Sequence, residues 1–177
     1  IDPATMPMFS LAVTVLDRVT PQRRDLVAEM RSYGGNDLLC YRADDAVLSA
    51  REQAEWQPWL EWSATTLDAP LVVAQGIMPV TQSNTALTAL EAAINAHDDW
   101  ELGMLHRVVA LGGSLVLGLA FLRGEMDHET LFQTAFLNEL WQAENWGSDF
   151  EAEDRRQAIQ NEMTDVAQFL RLRRGEG

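Results

Sequence analysis

Hydrophobic and polar residues recur with helical spacing along much of the chain. In the last segment, about residues 150 to 173, apolar residues recur every three or four positions: Ile159, Met163, Val166, Phe169 and Leu170. This spacing is typical of a helix that buries one face. The pattern therefore predicts one long amphipathic helix at the C-terminal end.

Proline, glycine and polar residues indicate where the other helices begin and end. Pro7 can lie in the first turn of a helix that runs to about Val19. Thr20-Pro21 is typical of an N-cap followed by proline at the first helical position, and Gly34-Gly35 is typical of a helix end. A second helix is therefore predicted between these two pairs.

Two acidic residues later in the chain are predicted helix caps. Asp98 has Glu101 three positions on, which is the capping-box arrangement at the start of a helix. Asp127 follows Gly124 and is predicted to cap the next helix, which Gly147 ends.

Two short apolar runs are the candidate strands. Leu38–Tyr41 and Leu71–Val73 are each bounded by turn-forming residues and could pair as a small sheet. Residues 45 to 68, between the two runs, have a helical pattern that contains Pro58, so a kink or a break is expected there. The predicted fold is mainly α, an irregular orthogonal bundle of about seven helices with at most one small two-stranded sheet.

The uncharged stretch Val108–Leu122 is the most apolar part of the chain. It has 15 residues and lies between Arg107 and Arg123, whereas a membrane-spanning helix needs about 20 residues. We therefore predict a central core helix, in which Gly112, Gly113 and Gly118 let neighbouring helices approach closely.

Composition narrows the possible functions. The 177 residues carry 27 acids and 13 cations, a net charge of −14, and every cation is an arginine. Without lysine there is no Schiff-base chemistry and no Walker-type phosphate lysine. The excess of acids disfavours binding to nucleic acid or to an anionic membrane surface. The excess of acids comes from residues 44 to 154, which contain 19 acids and three arginines.

Few residues could supply catalysis or hold a metal. The chain has three histidines and one cysteine, Cys40, which follows two leucines and is expected to be an inert buried residue. Glu125 and His128 match the Glu-x-x-His unit of di-iron bundles, but the second copy that such a site requires is missing. No catalytic residue, cofactor or metal ligand is predicted.

Two clusters of aromatic and acidic residues are the candidate binding sites. Trp56, Trp59 and Trp62 recur every three residues and so spread over a broad arc of one helix, with one ring near the edge of the buried face. In the second cluster, Glu139 borders an apolar helical stripe and tryptophans follow it. The predicted partner-binding residues are Trp56, Trp62, Glu139, Trp141, Gln142 and Trp146.

These motifs resemble a known family, the assembly chaperones that escort the alpha subunit of the F-type ATP synthase catalytic head. The resemblance begins with Leu39–Ala43, Gln53, Trp56, Pro58 and Trp62. It extends over nearly the whole chain, through residues 1 to 7, Gly76-Ile77, Gln82, Ser114–Leu117, Glu139, Gln142 and Trp146-Gly147. Asn138 stands where the family typically has aspartate, and Glu153 stands where it often has histidine.

The resemblance implies a non-enzymatic chaperone that keeps unassembled alpha subunit soluble until the beta subunit replaces it. We predict that Glu139, with Trp141 and Trp146, contacts this client by charge-assisted hydrogen bonding and aromatic burial, and that the chain is monomeric. Family members join a β-rich N-terminal domain to this helical domain, so residues 1 to 177 are expected to be one helical chaperone domain of a longer protein. The expected compartment is the bacterial cytoplasm, or the mitochondrial matrix in a eukaryote.

Two other functions fit the sequence. One is a small-molecule-binding or enzymatic helical domain with an acidic pocket near Glu139, which would require several titratable groups to converge there. The other is a structural subunit with a permanent partner, which would remain in the finished complex where a chaperone would not.

Overall fold

The computed structural model describes residues 6–76 and 80–175. These residues form nine α-helices and one two-stranded sheet. The elements are α1 (Pro7–Thr14), a π-helical segment (Val15–Val19), α2 (Arg23–Gly35), a 3-10 turn (Leu38–Cys40), β1 (Tyr41–Arg42), α3 (Ala46–Thr66), β2 (Ala74–Gln75), α4 (Asn84–Asn95), α5 (Asp99–Gly112), α6 (Leu115–Leu122), α7 (His128–Ala135), α8 (Leu137–Trp146) and α9 (Phe150–Arg174). The predicted fold class, mainly α with one small sheet, is confirmed.

The central apolar stretch forms two helices where the sequence analysis predicts one. Gly113 adopts a left-handed conformation with φ of 72° and ends α5, and the Ser114 hydroxyl accepts a hydrogen bond from the Leu117 amide at 3.1 Å and begins α6. All of α6 is buried. A Cβ at Gly118 would lie 2.8 Å from Val109, so the predicted close approach occurs there. No described helix is long and apolar enough to cross a membrane.

The helix predicted between Asp127 and Gly147 is also two helices. Asp127 caps α7 by accepting a hydrogen bond from the Thr130 amide at 2.8 Å, and Gly147 follows the last residue of α8, as predicted. Between the two helices, Phe136 has a ψ of 16°, which interrupts the regular helical backbone. These two divisions account for most of the difference between nine helices and about seven.

The predicted start of the second helix is wrong. Thr20 has helical φ and ψ, and its amide donates to the carbonyl of Val15 at 3.0 Å, so it is the C-cap of the π-helical segment and not the N-cap of α2. Helix α2 begins two residues after Pro21, at Arg23, and ends at Gly35 as expected.

The small sheet forms, but Tyr41 is the one predicted strand residue that takes part in it. Asp37 caps Leu38–Cys40 as a 3-10 turn, so only Tyr41 and Arg42 pair, in parallel, with Ala74 and Gln75. Leu71–Val73 is not a strand. The Gln82 side chain instead bonds the amide and the carbonyl of Val72, at 2.8 and 2.9 Å, in the manner of a neighbouring strand.

Helix α3 continues through Pro58, so the expected break does not occur. Proline removes the hydrogen bond to the carbonyl four residues earlier, which belongs to Ala54. Both residues lie on the exposed face of the helix, where water can solvate the freed carbonyl. On the opposite face, Trp56 and Leu60 are buried and hold the helix against the core.

The Leu39–Ala43 motif and Trp56 meet in the core. Arg42 is 6% exposed, donates to the Leu39 carbonyl at 2.6 Å and lies 5.4 Å from the centre of the Trp56 ring. Buried Glu52 accepts a hydrogen bond from the Ala43 amide at 2.7 Å. Burial lowers the pKa of Arg42, and the carboxylate of Glu52 opposes that change. These residues of the family resemblance therefore stabilise the fold.

A buried carboxyl group, that of Asp37, joins two distant parts of the chain. It accepts hydrogen bonds from the amides of Leu39 and Val116, each at 3.1 Å, and so links the turn after α2 to the first turn of α6. Burial raises the pKa of Asp37 from 3.8 to about 6, and the hydrogen bonds only partly oppose this.

Asp37 is expected to give the stability a distinct pH dependence. The folded chain binds the proton of the Asp37 carboxyl group more tightly than the unfolded chain does. The stabilisation of the folded state by this proton is therefore fully present below about pH 4 and is lost as the pH rises through about 6. Asp37→Asn does not titrate. Urea titrations of both proteins give their free energies of unfolding at each pH. The value for the unmodified chain minus the value for the variant should fall by about 2–3 kcal/mol between pH 4 and pH 7.5.

Asp127→Asn is the control for this measurement. The Thr130 amide lowers the pKa of Asp127, so that variant should show no such fall with rising pH. A constant difference between the unmodified chain and Asp37→Asn would contradict the assignment.

Candidate functional site

The candidate site is the corner where α8 ends and α9 begins, which we call the α8–α9 corner and which comprises residues 139 to 156. Gly147, with φ of 82°, ends α8, and the Asp149 carboxylate caps α9 by accepting from the Ala152 amide at 2.8 Å. The chain therefore turns within three residues. A groove of about 300 Å³ lies at the turn, lined by Glu139, Gln142, Ala143, Gly147, Ser148, Asp149, Ala152, Arg155 and Arg156.

Glu139 lies in this groove opposite an arginine of α9. Its carboxylate accepts a hydrogen bond from Arg155 at 2.8 Å, and the two side chains are 37% and 61% exposed. Gln142, one turn along α8, is exposed, and Arg156 bonds the Ser148 hydroxyl. Both members of the Glu139–Arg155 ion pair are therefore accessible to a partner.

Two tryptophans of α8 form an edge-to-face pair. The ring centres of Trp141 and Trp146 are 5.1 Å apart and the ring planes are nearly perpendicular. Trp141 is partly buried against the core, whereas Trp146 is 72% exposed. Trp141 thus supports Trp146, which presents most of its ring to solvent.

An ion pair fixes the exposed side of α8 to α3. Arg51 donates to both carboxylate oxygens of Glu144, at 2.6 and 3.2 Å. The Arg51 guanidinium lowers the pKa of Glu144. This exposed contact joins the last turns of α8 to α3 and leaves Glu144 paired.

Phe150, the first residue of α9, is a surface residue that the sequence analysis missed. It is 80% exposed. Because it lies nine positions before the buried Ile159, helical geometry places it on the opposite face of α9. That spacing was the available signal for an exposed aromatic residue.

The structure separates the predicted α3 residues from the α8 residues. Trp56 is 1% exposed and its indole nitrogen donates to the Thr134 carbonyl at 2.9 Å, so it is a core residue that a partner cannot reach. Trp62 is half-buried, pairs edge to face with Trp59 and lies beneath Arg123. Neither lines the groove, whereas Glu139, Trp141, Gln142 and Trp146 lie together on α8.

The corner suits recognition of another macromolecule. Glu139 pairs with Arg155, Asp149 caps α9, and Trp146 and Phe150 expose their rings to solvent. Among the described residues, no three His, Cys, Asp or Glu side chains come together as a metal site. Exposed aromatic rings beside charged hydrogen-bonding groups are typical of protein interfaces. The fold is a helical domain, and this corner is its candidate protein-binding surface.

Comparison with known proteins identifies the family. A family model described as ATP12 chaperone protein matches residues 1–64. The crystal structure of Atp12 from Paracoccus denitrificans is 39% identical with a TM-score of 0.93, over 97% of this chain and 74% of that chain. An Asp-to-Lys mutant of that protein matches with the same values. No curated protein sequence matches.

A third structure, the Agrobacterium tumefaciens protein Atu1473, is 32% identical with a TM-score of 0.90, over 96% of this chain and 64% of that chain. The chain belongs to the ATP12 chaperone family, which confirms the resemblance found in the sequence. Residues 1–5 and Ile77, which contribute to that resemblance, lie outside the described residues.

Proposed function

We propose that this chain is an ATP synthase assembly chaperone that binds the unassembled alpha subunit of the catalytic head and prevents its aggregation until the beta subunit replaces it. The observation that carries the proposal is an accessible aromatic and acidic corner in a member of the ATP12 chaperone family. Membership of a chaperone family implies a non-enzymatic role. The alpha subunit as client follows from the resemblance described above.

The physical properties of the corner support this function. A subunit that has not met its neighbour exposes a large apolar interface, which promotes aggregation. A partner that covers this interface needs aromatic anchors and hydrogen-bonding groups, and Trp146, Gln142 and Glu139 supply both. The net charge of −14 would keep the complex soluble.

Glu139 is proposed to exchange partners when the client binds. In the free chain it pairs with Arg155, and exposed pairs of this kind contribute only about 0–1 kcal/mol. Releasing Arg155 therefore costs little, and Glu139 can accept a stronger hydrogen bond from a client donor in a drier interface. Trp146 would bury its exposed ring, held by Trp141. Trp62 remains a proposed second contact, on α3.

We further propose that residues 1 to 177 act as one chaperone domain. The domain would be a monomer before it meets its client, in the bacterial cytoplasm or, for a eukaryotic source, in the mitochondrial matrix. The core supports a single unit because buried α6 contacts α2, α3, α5 and α7.

Glu139→Lys is expected to impair the proposed function. The substitution places a cation beside Arg155 and repels a client donor, so affinity for the alpha subunit should fall at least about tenfold, or about 1.4 kcal/mol. Purified alpha subunit is warmed with an equimolar amount of the chain while light scattering is recorded. The unmodified chain should suppress scattering, and Glu139→Lys should do so poorly.

Glu125→Lys is the matched control, because it makes the same charge change at an exposed position before α7. It should protect the alpha subunit as well as the unmodified chain does. If Glu139→Lys protects equally well and remains folded by circular dichroism, Glu139 is not a client contact. If the unmodified chain gives no protection, the proposed function is wrong.

A further inference from the structure

Two aromatic side chains flank the turn between α8 and α9. Phe150 is 80% exposed and Trp146 is 72% exposed, which makes them the two most exposed large hydrophobic residues among those described. Only Gly147, Ser148 and Asp149 separate them in sequence. The corner therefore presents two anchor-sized rings at one turn of the chain.

The same corner is strongly acidic. Residues 139 to 156 contain two arginines, Arg155 and Arg156, and six acids: Glu139, Glu144, Asp149, Glu151, Glu153 and Asp154. Of these, Glu139 and Glu144 are paired with arginines. Glu151, Glu153 and Asp154 are exposed, and no cation of the described residues pairs with them. Their charge remains available to a partner.

One further feature favours a cation at this corner. The exposed indole ring of Trp146 offers a face on which a lysine or arginine of a partner can rest. The helix ends do not decide the charge, because the C-terminal end of α8 and the N-terminal end of α9 lie close together in sequence and carry partial charges of opposite sign. The unpaired carboxylates and the indole ring favour the same charge.

The exposed apolar residues at the start of the chain do not lie in a segment with an excess of acids. Helix α1 and the π-helical segment after it expose Phe9 and Leu16, 60% and 59% respectively. Residues 1 to 43, which contain them, carry equal numbers of acids and arginines. Nothing there indicates the charge of an occupant, whereas the α8–α9 corner combines apolar area with an excess of acids over arginines.

We infer that the α8–α9 corner binds a client segment in which a lysine or arginine lies next to an apolar side chain, and that Phe150 supplies the apolar contact. The inference rests on the proposed function, because the client is the alpha subunit. The apolar side chain would pack on Phe150 and Trp146. The cation would lie near Glu151, Glu153 and Asp154. Nucleic acid or an anionic membrane would be repelled by the same carboxylates.

The test measures binding of purified ATP synthase alpha subunit to the complete chain at about 50 mM and about 300 mM salt, because exposed charges are screened over this range. Phe150→Ser should weaken binding about tenfold at both concentrations. A triple variant, Glu151→Gln with Glu153→Gln and Asp154→Asn, should weaken binding several-fold at low salt and should reduce the salt dependence.

Matched controls lie at the opposite end of the domain. Leu172→Ser changes another exposed apolar residue of α9, and Glu125→Gln with Glu129→Gln neutralises acids next to α7. Both controls should bind like the unmodified chain, and thermal unfolding should show every variant folded.

If the unmodified chain binds the alpha subunit and the corner variants match the controls, the inference is overturned and the proposed function stands. If the unmodified chain does not bind the alpha subunit, both are overturned.

Discussion

Trp56→Ala is expected to lower the free energy of unfolding by about 3–5 kcal/mol, the usual cost of removing a large aromatic side chain from a core. Trp56 is 1% exposed and packs beneath Arg42, and its indole nitrogen donates to the Thr134 carbonyl at 2.9 Å. The substitution would leave a cavity, a buried carbonyl without its donor and a buried guanidinium without its aromatic neighbour. A domain of ordinary stability would retain little folded population.

The measurement is equilibrium unfolding in urea, with Trp146→Ala as the matched control. That change has the same chemistry on a side chain that is 72% exposed, so it should alter stability by no more than about 0.5 kcal/mol. Trp56→Phe keeps an aromatic ring but loses the hydrogen bond and the fused five-membered ring, so its cost should lie below that of Trp56→Ala. Equal effects of the two alanine substitutions would contradict the distinction between core and client-facing tryptophans.

That distinction could not be predicted from spacing alone. Tryptophans every three residues spread over a wide arc of helix, and the pattern does not state which ring faces the core. The structure decides it through long-range contacts, because the Trp56 indole reaches Thr134, 78 residues further along the chain. The sequence analysis therefore predicted Trp56 as a binding residue when its role is structural.

Local signals gave correct helix caps at Asp98 and Asp127 and a wrong one at Thr20. Asp98 and Asp127 cap α5 and α7 as expected, since a cap depends on a few neighbouring residues. Gly113 and Ser114 are also a typical helix end and a typical N-cap, but the long apolar run around them led to the prediction of one continuous helix. No sequence signal predicted the π-helical segment Val15–Val19. This segment packs closely on α5, because a Cβ at Gly103 would lie 2.7 Å from Val15.

The sequence brought the α8 residues of the candidate site together because they share one helix. Glu139, Trp141, Gln142 and Trp146 lie on α8, and the spacing placed Glu139 at the border of its buried stripe and Trp141 off the centre of that stripe. Their contact with a client stays a prediction. Residues contributed by other elements were missed. Arg155 and Phe150 come from α9 and reach the corner only because the chain turns at Gly147.

The most direct test of the central claim is selective capture of one ATP synthase subunit. The chain is immobilised and exposed separately to purified alpha and beta subunits at equal concentration, and retained protein is quantified. The alpha subunit should be retained at about ten times the level of beta or more, which corresponds to a difference of at least about 1.4 kcal/mol in binding free energy.

Specificity of this kind requires contacts that one subunit satisfies and the other does not, and the α8–α9 corner is where we place them. Addition of beta subunit to the captured complex should release alpha, because the chaperone is proposed to cover the surface that beta later occupies. Retention of alpha with release by beta is the predicted result. Preferential retention of beta, or retention of neither subunit, would contradict the assignment of this chain as an alpha-subunit chaperone.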